Sequence, residues 1–337
     1  MAIVHEPQPT RMQVIESIER AIQHTKRVLF QPFTFSKWLC LGLIAFLDVV
    51  LGGGGKGGGF SYNPYGGFGS QGPGGGGTFH PAEMIGKFEG WIGAHLGVIL
   101  AIAIPVLLLW AGLILVSQWL GARGQMMFIR AVARDEAALG VNWRETRGPA
   151  WSLFLFRVCL AFAGTVVVAG LGAAAYLSVR VIALGDVREI SPYVFALLPY
   201  LLVAIAIGIG FGVVSALLRS FVAPLMLHLN QPCLQTWGSF GHILRGNWLP
   251  ILGFFGLKLL YSMGFGIVAA LAGCITCCIG GLPVIHHTLF APYYVFDRSV
   301  SLFMLQSLGP EYAIVQMPDL PGDIPPELPP EPGPLAE

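Results

Sequence analysis

Lys258 has the strongest claim to chemistry in this chain. It lies about ten residues into an apolar run, 249–275. An ammonium at that depth of a membrane span costs about 3 kcal/mol on insertion scales, so it marks a site or a structural tie. The partner that the sequence offers is Asp48, toward the end of the first apolar run, 35–51. A Lys258–Asp48 pair inside a helix bundle would gate a path or hold two helices together. The alternative is a lysine that snorkels to the surface or bonds backbone carbonyls.

Two other clusters invite a chemical reading. Cys274, Cys277 and Cys278 precede His286 and His287. Tetrahedral zinc needs ligands that converge, whereas adjacent histidines on a helix diverge by about 100° and stand more than two turns from the cysteines. No metal and no cofactor is assigned, and a Cys274–Cys277 disulfide fits the pattern better than zinc. Gly52-Gly53-Gly54-Gly55-Lys56 resembles a phosphate loop, but no Ser or Thr follows the lysine and no strand–loop–helix frame surrounds it. Gly-x-Ser-x-Gly, His-Glu-x-x-His and paired intramembrane carboxylates are missing as well. Catalysis therefore has no seat, and the chain reads as non-enzymatic.

These residues must be positioned by a membrane scaffold. The 337 residues are 55% hydrophobic and only 11% charged, against about 25% charged in soluble domains. A net charge of +1 and the lack of a basic stripe exclude nucleic acid as a partner. The six cysteines are scattered through apolar runs, unlike a disulfide framework. Residues 1–34 are polar and mixed, without the features of a signal peptide.

A bilayer core needs about 20 apolar residues per helix. Six runs come near that length: 35–51, 92–119, 152–178, 193–218, 249–275 and 281–298. Of the 19 Lys and Arg, fourteen fall in the N-terminal segment, the 120–157 and 219–248 loops and the C-terminal segment, and four on the other side. The positive-inside rule then places both termini in the cytoplasm, here of a prokaryotic inner membrane.

The runs repeat. Phe221-Val222-Ala223-Pro224 is echoed 68 residues later by Phe290-Ala291-Pro292, and a third copy without proline spans 123–151. Pro224 and Pro292 read as kinks where a span leaves the membrane. The expected fold is all-α: a polytopic bundle of six transmembrane helices, built as three parallel-repeat hairpins with amphipathic cytoplasmic helices. Small residues recur every four positions at Ala204, Gly208, Gly212 and Ala216, with similar stripes in the third and fifth runs; such stripes let spans pack closely within the chain. Trp143, Trp151, Trp237 and Trp248 bracket two polar passages and suit the headgroup level.

Residues 1–34 form a cytoplasmic segment whose Ile15, Ile18, Ile22 and Leu29 share a helical face. That face would lie on the membrane surface or pack on other cytoplasmic segments. The membrane domain occupies 35–312, with an external loop at 52–77 that holds 15 glycines in 26 residues and reads as a flexible linker. Residues 313–337 form an acidic, proline-rich tail of extended character.

Gln31-Pro32-Phe33 leading to Lys37-Trp38, together with Phe221-Val222-Ala223-Pro224-Leu225-Met226 and the hairpin repeat, carry a resemblance. Over roughly residues 12–312 the chain resembles an uncharacterised family of six-span prokaryotic integral membrane proteins, a domain of unknown function. At greater distance it is similar to the membrane domain attached to glycerophosphoryl diester phosphodiesterases. These motifs are structural and imply no catalytic residue and no substrate. The expected role is that of a scaffold or of an assembly or accessory component. It would be embedded in the lipid bilayer and pair with itself or another membrane protein. A transporter or channel for a small solute or lipid is the alternative.

Overall fold

The computed structural model describes residues 10–51, 81–185, 191–275 and 283–315. The whole 52–77 loop, most of the acidic tail, the turn around Gly280, and Cys277 and Cys278 lie outside the described residues.

Among the described residues the fold is helical throughout. Helix α1 (Thr10–Phe30) leads to α2 (Phe35–Phe46), which runs into a π-helical turn, Leu47–Leu51. After it come α3 (Pro81–Arg134), α4 (Leu139–Glu145) and α5 (Arg147–Leu184). Helix α6 (Ser191–Leu217) passes through a second π turn, Leu218–Val222, into α7 (Ala223–Leu229). Then follow α8 (Cys233–Gly246), α9 (Trp248–Ile275), α10 (Pro283–Leu289) and α11 (Ala291–Ser307).

Four helical stretches are long and apolar enough to cross a membrane: Glu89–Arg134, Arg147–Leu184, Ser191–Leu229 and Trp248–Cys274. Their apolar residues point outward for many turns, as at Leu107, Leu108 and Leu109, each at least 64% exposed. Helices hydrophobic all round need an apolar surrounding, and lipid supplies it. Near one end the pattern reverses. Helix α3 is buried on every side from Gly121 to Ala133, and α6 from Leu217 onward into α7. There the spans enter a packed helical core built with α1, α2, α8 and α11. Phe221 sits within it, with ring centroids 5.0 Å from Phe254 and 5.7 Å from Phe240.

The first and last apolar runs behave differently from the middle four. Helix α2 with its π turn is short and packs on α10. The run 281–298 is broken at Phe290, and the α11 that follows is mostly buried in protein.

The predicted face of α1 is divided: Ile15 and Ile22 are exposed, Ile15 to 53%, as a face resting on lipid would be, while Leu29 is buried. The packed face carries Ser17, Ala21, His24 and Val28, and it lies on α11. Small residues let the two helices come close, which Ile cannot do. Pro224 is buried just after the second π turn, a usual seat of helix kinks, where the Ala223 N–H donates to Leu218 O, a five-residue step. Proline lacks an N–H and its ring clashes with the carbonyl four residues back, and the widened π turn absorbs both. Pro292, by contrast, sits in the first turn of a new helix, where proline is at ease.

Gly208 and Gly212 depart from the expected packing within the chain. They face outward, and a Cβ added to either would meet nothing within 4 Å. The stripe that they form does not pack within the chain. Gly208→Ala and Gly212→Ala should therefore leave the thermal midpoint in detergent unchanged or raise it slightly, because alanine is the better helix former by about 1 kcal/mol. A drop of several degrees in either variant would show that the stripe is covered.

His24 pins α1 to the end of α3: its Nε2 lies 2.8 Å from Val132 O, and its ring meets Phe303 edge-on. Burial holds its pKa below the ordinary 6.5; Asp135 nearby favours the charged form, while Arg27 and Lys37 oppose it. The folded protein thus takes up this proton less readily than the unfolded chain. Its contribution to stability is full above about pH 6.5 and is lost as the pH falls below that value. The midpoint should drop between pH 7.5 and 5.5, and His24→Gln, measured over the same range, should flatten the drop.

Candidate functional site

The polar residues that count lie where the exposed spans enter the core. Asp48, in the first π turn, is fully buried. Arg219, in the second π turn, donates from Nη2 to Asp48 Oδ2 at 3.0 Å. Arg298 of α11, only 2% exposed, donates from Nη2 to the same oxygen at 2.6 Å. Its Nη1 donates to the backbone carbonyl of Arg219 at 2.8 Å, and its guanidinium lies 5.7 Å from the Phe128 ring centroid. One carboxylate therefore clamps two arginines from distant parts of the chain. π-Helical turns are rare and gather at functional sites, and here each of the two carries one member of the clamp.

The close approach of backbones makes this geometry possible. At Gly124 of α3 an added Cβ would lie 2.5 Å from Leu47 Cβ and 2.8 Å from the Asp48 backbone nitrogen. At Gly42 of α2 it would lie 2.6 Å from the Cα of Thr288. Two glycines thus let α2 and its π turn press between α3 and α10.

A second ion pair adjoins the first. Lys258 Nζ lies 2.6 Å from Asp297 Oδ1, and Tyr261 donates its O–H to that oxygen at 2.6 Å. Ser262 donates to Lys258 O at 2.6 Å, and Tyr293 donates to Ser262 Oγ at 3.3 Å. The expected Lys258–Asp48 pair is thus corrected: each found a different partner, because Asp297 projects from the helix facing Lys258 while Asp48 meets two arginines. The residues adjoin through Asp297 and Arg298, neighbours on α11. On the α5 side, Arg157 donates to Gln125 Oε1 of α3 and lies within electrostatic range of Asp48, Arg219 and Arg298.

Among the described residues charge does not balance here: Arg157, Arg219, Lys258 and Arg298 face Asp48 and Asp297, a surplus of two positive charges. Arg157 Nη1, Arg219 Nη1, Arg298 Nε and Gln125 Nε2 are buried with no hydrogen-bond partner among the described residues, and so is Asp48 Oδ1. Buried cationic donors left unpaired cost several kcal/mol.

The histidines expected near the cysteines lie apart from this cluster. His287 stacks on Tyr294 with centroids 4.8 Å apart, and His286 packs on Phe290 at 4.8 Å. Cys274 is exposed near the end of α9. Cys233 of α8 is buried, and burial pushes its thiol up to about 12, so it carries no thiolate at neutral pH. Maleimide should fail to label it in folded protein at pH 7.

Residues 12–316 match the model of a family described as a family of unknown function, DUF7544. No curated protein and no solved structure matches the chain.

Proposed function

The chain belongs to DUF7544, and from the geometry above we propose that it is a multi-pass integral membrane protein acting as a scaffold or assembly component, not an enzyme. The observation that carries this reading is the division of two of the four long helices. Helices α3 and α6 are exposed and apolar over their outer part, then fully packed where they join a common core. Such a build anchors a preformed helical surface at the membrane. We place the core on the cytoplasmic side of a prokaryotic inner membrane, with both termini there. In this reading the four long helices cross the bilayer, and a count of six would need α2 and the α10–α11 pair, which contribute to the core, to enter it as well.

A transporter or channel is the second reading, favoured by buried charges from helices that cross the bundle. Reconstitution into liposomes separates the two. The scaffold reading expects no solute flux and, in native membranes, cross-linking into a homo-oligomer or to one stoichiometric membrane partner. Flux, or a chain that stays monomeric and without a partner, overturns it. Release by alkaline carbonate would overturn the integral-membrane reading. A C-terminal reporter active only outside the cell would overturn the orientation.

A further inference from the structure

We propose that the arginine cluster between α3, α5 and the two π turns is a binding site for a protonated phosphate group: inorganic hydrogen phosphate or a phosphomonoester headgroup. The inference rests on the cluster alone and holds whichever role the spans play.

A buried site with two cations too many gains stability when something negative joins it. Among the described residues Arg157 has no carboxylate bonded to it: its hydrogen bond is to the neutral Gln125, while Asp48, within electrostatic range, is engaged by Arg219 and Arg298. The unused donors are spread over four side chains, Arg157, Arg219, Arg298 and Gln125. A single-atom anion such as chloride cannot serve donors so distributed, whereas a tetrahedral oxyanion offers several acceptor oxygens to guanidinium forks.

The unused acceptor narrows the ligand further. Asp48 Oδ1 is buried without a donor beside the same arginines. A carboxylate oxygen facing an oxyanion is repulsive unless the anion carries a proton to donate. Hydrogen phosphate and a singly protonated phosphomonoester do; sulfate and phosphodiesters do not. At neutral pH such a group carries between one and two negative charges, which fits the surplus. The side chains of Arg219 and Lys258 are 17% and 22% exposed, so the edge of the cluster reaches the surface, while the unused donors are themselves buried and meet a ligand only when these side chains shift.

The test uses the full chain in a detergent without phosphate, followed by thermal unfolding. The probes are sodium phosphate, sodium sulfate and sodium chloride at equal ionic strength, and short-chain phosphatidic acid, phosphatidylglycerol and diacylglycerol. Phosphate, phosphatidic acid or both should raise the midpoint by about 5 °C or more near saturation. Sulfate, chloride, phosphatidylglycerol and diacylglycerol should not. A response to inorganic phosphate identifies a soluble ligand. A response to phosphatidic acid alone identifies a lipid headgroup. Arg157→Gln should abolish the response and leave the midpoint without ligand unchanged or higher, since it removes an uncompensated buried cation. No response to either phosphate probe, an equal response to sulfate, or a full response retained in Arg157→Gln overturns the proposal.

Discussion

Asp48→Asn is expected to be the most damaging conservative change in the molecule, lowering the thermal midpoint in detergent by on the order of 10 °C. Asparagine keeps the volume and one acceptor oxygen, so packing is untouched. The loss is electrostatic. Arg298, 2% exposed, and Arg219 both direct an N–H at Asp48 Oδ2. Without the carboxylate two guanidiniums remain buried beside Arg157 and Lys258, with Asp297 as the one carboxylate among them. Breaking a buried pair by removing one partner costs about 3–5 kcal/mol, because the other charge is stranded. Asp48→Asn combined with Arg298→Met should recover part of the loss, since one stranded charge is removed with its counter-ion. A double variant less stable than Asp48→Asn alone would mean that Arg298 matters chiefly for its packing on Phe128 and its bond to the Arg219 carbonyl. Tryptophan fluorescence during a thermal ramp reads all three proteins.

Much of this architecture was legible in the chain, and the misses share a cause. The four middle apolar runs emerge as the four long helices, because length and hydropathy alone identify such segments. Lys258 and Asp48 stand out as charges within apolar runs. Their true partners do not, because Arg157, Arg219 and Arg298 sit at the ends of runs, where a lysine-and-arginine tally counts them as loop charges. They are core residues, so part of the cytoplasmic excess measures the buried cluster and not the membrane rule. In helix α1 periodicity finds the apolar face with Ile15 and Ile22, but it does not reveal that α11 packs on the face with the small residues, Ser17 and Ala21.

Gly124→Ala should rival Asp48→Asn while touching no charge. The added methyl would stand 2.5 Å from Leu47 Cβ, 2.7 Å from the Leu47 carbonyl carbon and 2.8 Å from the Asp48 nitrogen. Two of those three atoms are backbone, so no rotamer change relieves the clash, and either the π turn or α3 must move. Overpacking of this kind costs about 1–3 kcal/mol, and more where backbone must shift. The shift falls on the residue that holds the two arginines, so the electrostatic cost is added to the steric one. The comparison with the outward stripe isolates the cause: Gly208→Ala makes the same chemical change on a helix with nothing within 4 Å. Equal midpoints for the two variants would refute the close crossing of α3 over the π turn. The phosphate response gives a second readout. A π turn displaced by Gly124→Ala carries Asp48 away from Arg219 and Arg298, so any protein that remains folded should respond weakly to phosphate, whereas Gly208→Ala should respond fully. A Gly124→Ala protein with normal phosphate stabilisation would separate the steric joint from the charge cluster and place the ligand away from Asp48.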